Sequence, residues 1–215
     1  MSEKDKINVL LVDDHEVVRA GYRRLLEGTD DIAVIAEEED GESAYTGFFQ
    51  YHPDVLVMDL SMPGIGGLEA SRRILAKDKQ AKILVFSVHE NEVFLTRALD
   101  LGILGYISKR SASQVMIDAI RQVASGTVFV GQEMVPYLIK HKSSPDESLM
   151  SGLSPREFEV FCLLADGKSV NDIAELLSLS PKTVGHHCTH VKNKLDIHDI
   201  AGLTRLAIRL AIITP

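Results

Sequence analysis

Nowhere does this sequence approach the ~18 consecutive apolar residues that a membrane-spanning helix requires. Its start, Met1-Ser2-Glu3-Lys4-Asp5, lacks a signal-peptide profile. A cytoplasmic protein is the expectation. Cysteine is scarce: Cys162 and Cys188 both fall in apolar helical patterns and read as buried thiols in a reducing compartment, which excludes a disulfide scaffold. Internal repeats and low-complexity tracts are also missing. So is any excess of positive charge, since the formal net charge is −8. Taken alone, that balance argues against a nucleic-acid partner. Its distribution weakens the objection. Residues 1–126 hold 14 Lys and Arg against 21 Asp and Glu, residues 127–150 hold 2 against 3, and residues 151–215 hold 7 against 7. The last segment also carries His186, His187, His190 and His198. DNA affinity in that neutral half would have to come from one local face or from dimerisation.

What is present suits two small domains, each able to bury a core. The first half alternates short apolar runs with helical patterns, near 7–12, 32–36, 54–58, 82–87 and 103–107. This predicts βαβ units in a doubly wound, five-stranded parallel sheet of flavodoxin-like type, closing with a helix over about 111–125 that stops at Gly126. Residues 127–141 read as a short strand or turn followed by a helix. Residues 142–150 are polar, carry a proline and read as flexible linker. After Leu153 the pattern is all α, with four helices near 154–165, 169–177, 180–195 and 199–212. The predicted division is residues 1–126, a connecting segment 127–150, and residues 151–215.

Chemistry collects at the strand ends. The first strand runs into Asp13 and Asp14. The third ends in Asp59, followed by Ser61-Met62-Pro63-Gly64. The fourth ends in Ser87, and the fifth leads from Tyr106 to Ser108 and Lys109. Ligands of open α/β sheets bind at such carboxyl ends, and three acids, a hydroxyl and an ammonium there suit a divalent cation beside an anion. In this joint spacing, residues 5 to about 126 resemble the receiver domain of two-component response regulators. The resemblance implies that Asp59 accepts a phosphoryl group from a phosphohistidine on a sensor histidine kinase. It implies Mg2+ held by Asp14 and Asp59, by the backbone carbonyl of Ser61, and by Asp13 directly or through water. Lys109 would neutralise a phosphoryl oxygen and Ser87 would hydrogen-bond it, while Tyr106 rotates inward behind Ser87. The cation removes the repulsion between two anions that makes a carboxylate a poor acceptor in water.

In the second half, Ser154-Pro155-Arg156-Glu157 is a capping box with proline at the first helical position, and Ser180-Pro181 repeats the cap-plus-proline start. In the helix that follows, Val184, Cys188, Val191 and Leu195 recur at helical spacing and should face a core. The opposite face presents Lys182, His186, Thr189, His190 and Asn193, flanked by Thr183, His187 and Lys194. All of these can hydrogen-bond a base edge or a phosphate. Residues 151–212 resemble the LuxR-type (NarL/FixJ) helix-turn-helix, on Leu153 to Glu157, Gly167 to Ala174 and Leu177 to Val184 through Lys194-Leu195. That family often places lysines where this chain has Gly185 and Thr189. The resemblance implies promoter DNA as a partner, a phosphorylation-dependent homodimer, RNA polymerase as a further partner, and a transcription factor rather than an enzyme. In the last helix, Ile200, Leu203, Ala207, Leu210 and Ala211 form an apolar face whose exposed remainder would pair two DNA-binding domains. Two rivals differ in class. An aspartyl-phosphate phosphatase of haloacid-dehalogenase type would want a second aspartate where Ser61 stands, and a helical module could bind protein instead of DNA.

Overall fold

Alternation along each strand builds the first domain. In β1 (Ile7–Val12), Val9 and Leu11 face one layer while Leu10 and Val12 face the other. The same split recurs in β3 (Val55–Met58) and β4 (Ile83–Ser87), so both sheet faces are apolar and both are covered. The computed structural model describes residues 6–111, 113–139 and 149–213. The remaining first-domain elements are α1 (Glu16–Glu27), β2 (Ile32–Glu38), α2 (Gly41–Tyr51), α3 (Gly66–Lys77), α4 (Glu92–Asp100), β5 (Gly105–Ser108) and α5 (Ser113–Ala124). With β6 (Phe129–Val130), the sheet is parallel throughout, in the order β2-β1-β3-β4-β5-β6.

It has six strands where the sequence pattern predicts five. Phe129 and Val130 form β6 and pair in parallel with Gly105 and Tyr106. This is the short strand or turn read in residues 127–141; two half-buried residues are too few for an alternating pattern to show that it joins the sheet. A 3-10 turn, Gln132–Met134, and α6 (Val135–Ile139) follow, with Met134 fully buried. The segment expected as connection from residue 127 thus begins inside the first domain. Most of the stretch read as flexible linker lies outside the described residues. Among the described residues, no helix is long and apolar enough to cross a membrane.

The second domain comprises α7 (Pro155–Ala165), α8 (Val170–Leu176), α9 (Pro181–Leu195) and α10 (Ile200–Arg209). Each begins on a side-chain cap: Ser154, Ser169, Ser180 and Asp199 accept from backbone N–H groups of their first turns. Ser154 with Glu157 and Ser169 with Asp172 make full capping boxes. Phe158, Phe161, Ile173, Val184, Val191 and Leu203 are all completely buried.

The core of this domain is continuous with that of the first. Phe94 of α4 meets Phe158 of α7 edge to face, ring centroids 5.0 Å apart. Arg97 lies over the same Phe158 ring at 4.3 Å and donates to the carbonyls of Met150 (2.6 Å) and Leu153 (2.7 Å). Arg156 donates to Gly64 O at 2.6 Å and to Leu177 O at 2.8 Å, and Gly64 N–H donates to Leu176 O at 3.3 Å. Hydrogen bonds from charged donors contribute ~1.5–3 kcal/mol each; Arg97 makes two of them across the seam, offset in part by burial, which works against its charge and leaves its Nε without a partner. Replacing Arg97 with alanine should enlarge the radius of gyration in small-angle scattering and speed amide exchange in α7. Unchanged values of both would remove Arg97 from the contact.

Candidate functional site

Strand register fixes the site before any side chain is considered. Asp59 N–H donates to Val12 O (2.9 Å), Asp13 N–H to Glu38 O (3.2 Å) and Lys109 N–H to Ser87 O (2.8 Å), so the end of β3 is fixed against β1, that of β1 against β2 and that of β5 against β4. The Lys109 Nζ lies 2.5 Å from Asp13 Oδ2 and 2.8 Å from Asp59 Oδ2. Asp13 and Asp59 are buried, with side chains 1% and 2% exposed. Burial pushes the Asp59 carboxyl above the usual range; the Lys109 ammonium opposes this and the Asp13 charge adds to it. Burial works against the Lys109 charge too, but its bonds to Asp13 and Asp59 outweigh that and raise its pKa. A charged lysine between two carboxylates is the arrangement these forces favour.

Position 67 admits only glycine, because a Cβ there would come within 1.9 Å of the Asp59 carbonyl oxygen. The start of α3 therefore packs directly behind Asp59. Ser61 N–H donates to Asp59 Oδ1 at 3.2 Å. Ser61 Oγ, whose side chain had no expected role, lies 2.8 Å from His89 Nε2. Ser87 is fully buried beside the site and accepts from His89 N–H. Tyr106, expected to turn inward with phosphorylation, is already fully buried, its hydroxyl donating to His89 O at 2.7 Å.

One ligating atom each from Asp13, Asp14, His15 and Asp59 falls within a mutual span of 4.8 Å. Asp13 Oδ2 is enclosed, with the Lys109 ammonium 2.5 Å away. A set rich in carboxylate oxygen fits a hard divalent cation such as Mg2+. His15 escaped the sequence reading although it directly follows Asp14. Its Nδ1 lies 2.8 Å from Asp14 Oδ1 and 3.2 Å from Asp13 Oδ1. His89 also escaped it, although it stands two residues after Ser87. Its ring stacks on Phe94 at 3.9 Å, and burial lowers its pKa to about 4.

On α9 the core residues Val184, Cys188, Val191 and Leu195 are buried as expected. Lys182, Thr183, His186, Thr189, His190, Asn193 and Lys194 are exposed. His187 differs: it is half-buried with Nδ1 enclosed and unpartnered. Lys194 and His190 lean on Glu157, with Lys194 Nζ at 2.6 Å and His190 Nδ1 at 3.3 Å. On α10 the exposed apolar residues are Ile200 and Ile208, while Leu203, Leu206 and Ala207 are buried.

A doubly wound sheet with acids and a lysine at its carboxyl edge, docked to a four-helix unit with a capped reading helix, defines a receiver joined to a helix-turn-helix. Residues 9–121 match the model described as response regulator receiver domain, and residues 151–207 match that of bacterial regulatory proteins, luxR family. The chain is 42% identical over 205 residues to the response regulator UvrY of Escherichia coli (strain K12), covering 94% of each. It is 36% identical to the response regulator GacA of Pseudomonas aeruginosa, covering 94% of this chain and 96% of that one. Among solved structures it resembles RcsB from Salmonella enterica serovar Typhimurium bound to a promoter in the presence of phosphomimetic BeF3-. The TM-score is 0.69 and the identity 28%, over 97% of this chain and 100% of that one. The chain belongs to the NarL/FixJ family of two-component response regulators, with a receiver and a LuxR-type DNA-binding domain.

The seam between the domains starts at the acid cluster. A cavity of about 580 Å3 runs from Asp14, Ser61 and His89 to Phe158, Glu159 and Ile212. Glu159 Oε1 is enclosed without a hydrogen-bond partner, against Gly66, where a Cβ would come within 2.0 Å of it. Burial outweighs the Arg156 guanidinium and, with Glu69 and Glu42 nearby, pushes the Glu159 pKa to about 8, from an ordinary value of 4.5. The docked state thus holds a proton that the separated domain releases. Its contribution to docking is full below the ordinary carboxyl range and is lost as pH rises through about 8. The sedimentation coefficient should fall between pH 6 and pH 9 as the domains part, and Glu159→Gln should flatten that profile. A flat profile in the unmodified chain would contradict the assignment.

Proposed function

We propose that this chain controls transcription by accepting a phosphoryl group on Asp59 from a sensor histidine kinase, with Mg2+, and by dimerising on promoter DNA. The observation that carries this reading is the Lys109 ammonium shared between Asp13 and Asp59 at the carboxyl edge of the sheet. Asp59 attacks phosphorus, the phosphorus–nitrogen bond of the donor phosphohistidine breaks, and an acyl phosphate forms. Asp13, Asp14, Asp59 and the Ser61 carbonyl would hold the cation, which neutralises phosphoryl oxygens as the two anions meet. Lys109 supplies a second positive charge on one side of Asp59, and Ser61 N–H holds the other carboxylate oxygen. Ser87 stands ready to donate to the new group.

Phosphorylation replaces the single carboxylate charge with a group carrying about −1.5 to −2 charges and three strong acceptors, a net gain of roughly one negative charge. Lys109 would then be drawn from Asp13 toward the phosphoryl oxygens. The loop that follows Asp59 carries Gly64 and Gly66, which touch Arg156, Leu176 and Glu159 of the second domain. A shift of that loop loosens docking. The outer face of α9 is exposed while the domains are docked. Release therefore does not uncover the reading face. It frees the second domain to pair with another copy through Ile200 and Ile208 of α10. A neutral module makes few phosphate contacts, and two linked modules on adjacent half-sites gain through effective concentration. On this reading the protein is cytoplasmic, RNA polymerase is its downstream partner, and the receiver runs on through β6, with the DNA-binding domain from residue 151. Lys182, Thr183, His186, Thr189, His190 and Asn193 read DNA, while Lys194 and His187 serve mainly inside the domain.

Asp59→Ala should abolish labelling by a phosphohistidine donor or a small phosphoryl donor while leaving the fold intact; stoichiometric label on that variant refutes the assignment. Lys182→Ala should weaken DNA binding without affecting labelling, and should make the slope of log affinity against log salt shallower by about 0.9. An unchanged slope would take Lys182 off the phosphate backbone.

A further inference from the structure

His186 and His190 stand four residues apart on α9, both exposed, their ring centroids 4.4 Å apart at an interplanar angle of 63°. Residues at that spacing lie one above the other on a helix face, and paired histidines so placed are a recurring way for a helix to hold zinc. Zinc–nitrogen bonds of ~2.0–2.1 Å bring two ligating nitrogens to about 3 Å of each other, which rings already in contact reach by side-chain rotation alone. The remaining condition is a fixed tautomer. Metal-bound imidazoles commonly present their other nitrogen to a carboxylate, which orients the ring and raises its basicity. Here Glu157 Oε1 lies 3.3 Å from His190 Nδ1, close enough for the carboxylate to take that role. Glu157 is itself anchored, by Lys194 Nζ at 2.6 Å and Ser154 N–H at 2.8 Å.

We propose that His186 and His190 form a chelate for a borderline transition-metal ion, with zinc as the reference, on the outer face of the DNA-reading helix. Imidazole pairs favour Zn2+, Ni2+ and Cu2+ over the hard cations suited to the Asp13 cluster, so the two sites sort metals by chemistry. His187, turned inward beside Arg156, takes no part. Water completes the coordination. One consequence rests on the DNA-binding reading above. An occupied chelate withdraws two side chains from base edges and puts a hydrated cation in their place. Attraction to phosphate persists while base discrimination falls.

The test titrates the full-length chain with Zn2+ by calorimetry, in excess Mg2+ to occupy the acidic cluster. One zinc per chain is expected. Asp14→Asn should retain it, whereas His186→Gln and His190→Gln should each cost at least about tenfold in affinity. Circular dichroism confirms that these surface variants fold. No saturable zinc binding, or binding unchanged in both glutamine variants, overturns the site. DNA affinity measured first without metal tests the reading function independently. With zinc, the ratio of specific to non-specific affinity should drop. An unchanged ratio in a chain that binds DNA and zinc overturns the coupling and leaves the chelate standing.

Discussion

A single ammonium group holds this molecule's logic together. Lys109 neutralises two buried carboxylates that come from different strands, Asp13 after β1 and Asp59 after β3. Without it, two like charges would share a nearly solvent-free space, and one of them would have to protonate. The lysine therefore keeps Asp59 charged and nucleophilic while making its charge state depend on whatever else arrives. On the proposed function, an incoming dianion would compete with Asp13 for the same ammonium. The site is poised because its parts are over-committed: one cation serves two anions, and a cation or a phosphoryl group changes how it is shared.

The wiring away from that ammonium is short. Between Asp59 and α3 lie only the residues from Leu60 to Ile65, and Gly67 packs against the Asp59 backbone itself. The same few residues form the docking ledge: Gly64 bonds to Arg156 and Leu176, and Gly66 abuts Glu159. His89 makes a second link, with its ring nitrogen on Ser61, its carbonyl on the Tyr106 hydroxyl, and its face on Phe94, which meets Phe158. Contacts of this kind give both domains a stake in one loop conformation. That is the physical content of coupling between sites.

Much of this could be read from the residues. The strands, their order of chemistry and the helices of the second domain lie close to where apolar periodicity and capping signals put them, because each is a local property of the chain. The buried set Val184, Cys188, Val191 and Leu195 followed from helical spacing alone. Three things were not legible, and all depend on distance in space. The short strand or turn read in residues 127–141 adds a sixth strand to the sheet by pairing with β5, and that pairing has no signal in its own two residues. The leaning of Lys194 and His190 onto Glu157 pairs residues more than thirty positions apart, and sequence spacing on α9 alone places them with the outward polar face. Docking through Arg97, Arg156 and Glu159 joins helices of separate domains, and a charged residue on an amphipathic helix looks solvated until its neighbour is known. His15 and His89 were within reach, since each sits one or two residues from a group singled out for its chemistry.

The central claim is that the charge balance at Asp59 sets the separation of the two domains. It is tested most directly by fluorescence energy transfer between a dye on the exposed face of α5 and one on α10, before and after Mg2+ and beryllofluoride are added. The account requires transfer efficiency to fall on addition, and to stay constant in Asp59→Ala. Unaltered transfer in the unmodified chain, with beryllofluoride shown to be bound, would contradict it.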